Sequence, residues 1–125
     1  DTATTEIYTS LFVGSADVYK RQVCMSQRVP ANVGRISSIS DSQIIGGKTF
    51  AQCAAGGCNH SVGSCHYGGR GSCVGQSYAV DFGDGNPGST ALAQLSAAAR
   101  ACGADFINPE ATHLHVSVGK SCDCN

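Results

Sequence analysis

Eight cysteines constrain this chain more than any other feature: Cys24, Cys53, Cys58, Cys65, Cys73, Cys102, Cys122 and Cys124. An even count at irregular spacing is the pattern of a disulfide-stapled extracytoplasmic domain. A structural zinc site would want two close pairs of the CxxC kind, and only Cys122-Asp123-Cys124 is tight. The spacing therefore favours disulfides over cysteine-bound zinc, while about 105 pairings of eight cysteines leave the connectivity open. Staples matter here because the apolar material is thin. The 125 residues hold four Phe, four Tyr, one Met and no Trp against 16 Gly. That length suits one domain.

Charge and hydropathy close off other classes. The 8 Lys/Arg nearly balance the 9 Asp/Glu, so no basic footprint marks a nucleic acid or anionic membrane as partner. No run approaches the roughly 18 apolar residues of a membrane span. The start lacks a basic segment followed by an apolar one, so the expectation is a removed signal peptide or a piece of a longer exported protein.

Turn and periodicity signals give a coarse α+β outline. Arg28 to Ser40 reads as loop then strand, with Ile36 and Ile39 alternating. Asp41 to Ala55 has some helical character, which Gly46-Gly47 opposes by about 2 kcal/mol relative to alanine. Gly56 to Gln76 reads as a loop rich in Gly, Cys and Ser. Ser77 to Phe82 is a short strand, and the stretch from Gly83 to Gly88 is a turn. Ser89 or Thr90 is positioned to cap a helix in which Leu92, Leu95, Ala99 and Cys102 share a face, with Gly103 as its stop. Phe106-Ile107 opens another short strand. His113 to Val118 alternates, placing His113, His115 and Ser117 on one face and Leu114, Val116 and Val118 on the other.

The segment before Val23 stands apart. Leu11 to Gln22 reads LFVGSADVYKRQ, and DVYKRQ at 17–22 resembles the translated end of a transposase adapter used in library preparation. The expectation is that residues 1–22 are artefactual or disordered, with Ile7 to Val13 as a real strand being the other reading. Residues 23–125 are then the single domain, with six Lys/Arg and six Asp/Glu and every cysteine and histidine retained.

All four histidines fall in that part: His60, His66, His113 and His115. Two imidazoles and a carboxylate around zinc leave one position for water, the open arrangement that hydrolysis needs. Ser64-Cys65-His66 followed by glycine, Ala79-Val80-Asp81, a helix, and His113-Leu114-His115-Val116 come in the order that resembles the Hedgehog/DD-peptidase superfamily of zinc peptidases. The likeness spans about residues 57–118. It implies an α+β fold with a small antiparallel sheet and flanking helices. It implies Zn2+ held by His66, Asp81 and His115, Glu110 as general base, and His113 assisting at the developing charge.

The implied activity is that of a D-Ala-D-Ala carboxypeptidase or peptidoglycan endopeptidase, a secreted monomer acting on peptide stems. Its alternative is an extracellular binding module that keeps the fold without catalysis. Relative to the family pattern, the segment between His66 and Asp81 carries an insertion, Gly69 to Gln76. A Cys65–Cys73 disulfide is expected to pinch it off. A counterpart for the cation that holds the substrate carboxylate is open among Arg35, Lys48 and Arg70, with Arg70 assigned to substrate binding. His60 reads as an ordinary polar residue, Asp84 as turn chemistry, and Tyr67 and Tyr78 as packing groups.

Overall fold

A computed structural model of the chain describes residues 15–38, 50–53, 58, 60, 63–70, 73, 76–83 and 88–125. The elements run α1 (Ala16–Ser26), β1 (Ile36–Ser38), the single turn α2 (Phe50–Cys53), a 3-10 turn (Cys65–Tyr67), β2 (Ala79–Phe82), α3 (Ser89–Ala101), β3 (Phe106–Pro109), β4 (Leu114–Ser117) and a second 3-10 turn (Lys120–Cys122). The four strands form one antiparallel sheet in the order β1-β2-β4-β3. This is the small α+β architecture that the sequence pattern anticipates.

The two faces of the sheet have different work. Val80 and Phe82 of β2 and Leu114 and Val116 of β4 point to one side. There they meet Val18 and Met25 of α1 and Leu95, Ala98 and Ala99 of α3 in the main apolar cluster. Successive strand side chains alternate, so Asp81, His115 and Ser117 necessarily point the other way. They too are buried, so the polar face of β4 is no solvated surface.

Several local expectations are met and several corrected. Gly103 ends α3 at φ +77°, the left-handed stop that glycine adopts at least cost. The residue that caps the start of α3 is Gly88 rather than Ser89 or Thr90, and no side chain bonds to the first turn. The 56–76 loop is not wholly irregular: Ser64 Oγ accepts the backbone N–H of His66 and opens the Cys65–Tyr67 turn. Residues 15–22 are placed in structure, with Ser15 capping α1 and Val18 and Gln22 buried. The expected helix at 41–55 falls largely outside the described residues, as do Ile7 to Val13, Ile39, Lys48 and Asp84.

Four disulfides close the fold: Cys24–Cys102, Cys53–Cys58, Cys65–Cys124 and Cys73–Cys122. The expected Cys65–Cys73 bridge is therefore replaced. Both cysteines pair with the segment after β4, which lies alongside the loop. Asn125 N–H donates to the Gly63 carbonyl at 3.0 Å, Arg70 N–H to that of Cys122 at 2.9 Å, and Cys65 N–H to that of Asn125. Two glycines permit this close approach. A Cβ at Gly119 would collide with the sulfurs of Cys65 and Cys124, and one at Gly69 with the backbone of Cys122. Cys24–Cys102 ties α1 to the end of α3 on the opposite side. Four such bonds fit an oxidising environment. Among the described residues, no helix is long and apolar enough to cross a membrane.

Candidate metal centre

The polar face of the sheet supplies half of the site. Asp81 and His115 are direct partners in the β2–β4 register, with Asn108 of β3 opposite His115 on its far side. Directly opposed side chains share a face and stand within about 5.5 Å at Cβ, so register alone brings the imidazole to the carboxylate. His115 Nδ1 lies 3.1 Å from Asp81 Oδ1. The β3–β4 turn supplies the next pair. Glu110 N–H donates to the His113 carbonyl at 2.8 Å, closing a turn that brings the Glu110 carboxylate against His113 Nε2. His113 Nδ1 shares a 2.9 Å hydrogen bond with Thr112 Oγ1, which orients the ring so that Nε2 also reaches Asp81 Oδ2 at 3.5 Å.

The stapled loop supplies the other half. The turn at Cys65–Tyr67 points His66 inward, where it is 1 % exposed and its Nε2 lies 2.9 Å from Asp81 Oδ1. His60 stacks on His66, ring centres 3.7 Å apart, and its Nδ1 is 3.8 Å from Asp81 Oδ2. Its backbone N–H donates to the Tyr67 hydroxyl at 2.7 Å. Donor atoms of His60, His66 and Asp81 all lie within 4.8 Å of one another, a set that could hold a metal ion. Together these groups line a cavity of about 310 Å³, with Ser64, Phe106, Asn108 and Asn125 in its wall.

Asp81 is the electrostatic centre of the arrangement. Burial by itself raises a carboxyl pKa. Hydrogen bonds from His115 and His66, with the charge that His66 and His113 carry when protonated, outweigh it and hold Asp81 well below the usual carboxylate range. A buried carboxylate that stays ionised among imidazoles is the donor chemistry of a borderline divalent cation.

The structure thus brings together His66, Asp81, His113, His115 and Glu110, five residues singled out in the sequence. Arg70 stands apart: its Nε pairs with Asp123 at 3.0 Å, both side chains are largely exposed, and it does not line the cavity. His60, read in the sequence as an ordinary polar residue, belongs to the cluster. No protein-family model matches the chain, and no curated protein or solved structure does. The chemistry of the cavity is the ground for its function.

Proposed function

We propose that the chain is a secreted zinc-dependent peptidase of the D-Ala-D-Ala carboxypeptidase or peptidoglycan endopeptidase type. The observation that carries the reading is the pair of imidazoles, His66 and His115, on one oxygen of a buried, ionised Asp81. Their rings meet edge to face, 66° apart with centres at 5.0 Å, and are not stacked on each other. Tetrahedral zinc with bonds of about 2.0–2.2 Å sets ligand–ligand edges near 3.3–3.5 Å. The 2.9 and 3.1 Å separations at Asp81 Oδ1 come within a few tenths of an ångström of such edges.

Zinc held by His66, Asp81 and His115 would polarise the scissile carbonyl and lower the pKa of water. The chain's own groups do the rest. Glu110 is half-exposed at the cavity mouth and accepts the proton from the attacking water. His113, braced by Thr112, donates from Nε2 to the oxygen on which negative charge develops. Asn108, opposite His115 in the sheet, offers an amide to the peptide backbone.

Metal analysis of protein purified without chelator, followed by hydrolysis of a peptide ending in D-Ala-D-Ala, tests the reading. Stoichiometric zinc with turnover that a chelator abolishes supports it. Zinc without turnover makes the chain a binding module, and absence of zinc defeats both. Glu110→Gln is expected to keep the metal and lose at least about 100-fold in kcat. Full activity in that variant would place the base elsewhere, with Asp105 the next carboxylate to test.

A further inference from the structure

The zinc reading uses one oxygen of Asp81, and the other has its own donors. Oδ2 faces His113 Nε2 at 3.5 Å and His60 Nδ1 at 3.8 Å, and Glu110 abuts the same His113 nitrogen. An imidazole binds a metal through a lone pair in the plane of its ring. The planes of His60 and His66 are only 16° apart at 3.7 Å between centres. Near-parallel planes so stacked do not meet within a metal–nitrogen bond of about 2 Å. The nitrogens of His60 and His66 are close enough to reach one ion together with Asp81, but their ring planes favour two different points. His66 shares its point with His115, while His60 shares an oxygen with His113.

We propose that the cavity has a second divalent-cation position, bridged to the first by the Asp81 carboxylate. Its donors are Asp81 Oδ2, His60 Nδ1, His113 Nε2 and Glu110. Two imidazoles with two carboxylates suit Zn2+ or Co2+ rather than Mg2+ or Ca2+, which prefer all-oxygen shells. Carboxylate-bridged pairs of ions run about 3.5–4 Å apart, a spacing that a cavity of about 310 Å³ accommodates. Two carboxylates do not neutralise two dications, so the second ion binds more weakly than the first. Resting on the reading above, it also takes Glu110 and His113 away from proton transfer and charge stabilisation. Excess zinc is thus an inhibitor acting at this second position.

The test is a titration of metal-free protein with Co2+, followed by visible absorption and calorimetry, together with zinc content after dialysis at graded free zinc. The wild type is expected to bind two ions, the second at least about tenfold more weakly. His60→Ala and Glu110→Gln are each expected to bind one, with first-site affinity retained and, in His60→Ala, inhibition by excess zinc relieved. Circular dichroism checks that His60→Ala folds, and Glu110→Gln carries the titration if it does not. Saturation of the wild type at one ion, or two ions still bound by either folded variant, overturns the second position. A wild type that binds none overturns the zinc reading itself, which keeps the two failures distinct.

Discussion

Asp81, His113 and His115 reach the cavity from strands β2 and β4 and the turn before β4. Their backs rest on Val80, Leu114 and Val116 and, beyond these, on α1 and α3. His60 and His66 reach the same cavity from a segment whose described residues hold one 3-10 turn, fastened to the end of the chain by Cys65–Cys124 and Cys73–Cys122. One wall is positioned by strand register and apolar burial, the other by covalent staples and the glycines that let them close. A small domain with little apolar material can still build a rigid site when its core serves one wall and its cysteines serve the other.

The sharpest way to break that comparison is at the group both walls share. Asp81→Asn removes the charge that four imidazoles surround, and metal affinity is expected to fall by more than about 100-fold, measured by competition with a chelating dye. Removing the outer staple comes next. The Cys65→Ala/Cys124→Ala pair leaves Cys73–Cys122 to close most of the same loop. The loss in unfolding free energy is therefore about 2–3 kcal/mol, below what a lone bridge of this span gives. Metal affinity should fall with it by about tenfold, because His66 loses its mooring.

Val116→Ala attacks the other wall. It should cost about 2 kcal/mol in chemical denaturation and leave metal affinity within about threefold, since the methyls removed face the helices. A larger effect on metal binding than that of the cysteine pair would invert the assignment of the walls. The smallest effect is expected from Arg70→Ala. Its exposed pair with Asp123 contributes less than about 0.5 kcal/mol, and thermal unfolding should barely move. A rise in KM for a peptide substrate would show that the guanidinium reaches substrate despite lying outside the cavity.

What the sequence made legible was local. The alternation His113 to Val118, the helical spacing of Leu92, Leu95 and Ala99, and the Ser77 to Phe82 strand are signals within one element, and each element formed inside the stretch its pattern marked, with β2 confined to Ala79–Phe82 and β4 to Leu114–Ser117. The set of His66, Asp81, Glu110, His113 and His115 was what the family resemblance implied, and the register of β2 with β4 brings Asp81 and His115 of that set side by side. His60 was not legible. Its tie to Asp81 runs through space, by a stacked ring and a bond to Tyr67, and no spacing in the chain encodes either. The one available signal was that all four histidines lie between residues 60 and 115, the stretch that also holds Asp81 and Glu110. The disulfide partners were hidden for the same reason, since Cys65 and Cys124 meet only after β4 has returned across the sheet. In α1, Val18, Gln22 and Met25 do fall at i, i+4 and i+7.

The glycines packed on the staples have a kinetic consequence. Gly119 lies flush against both sulfurs of Cys65–Cys124, Cys65 is fully buried, and Cys73 and Cys122 are nearly so. Thiol–disulfide exchange requires a thiolate to approach a sulfur along the S–S axis, which such packing obstructs. Cys124 is only half-buried, but a reductant must wait for this end of the molecule to open before it reaches Cys73–Cys122, so its rate of attack on that bond becomes a clock for local breathing around the histidines. Side chains at either glycine would prise the lid from that clock, and the bonds would be lost to passing thiols long before the sheet itself came apart.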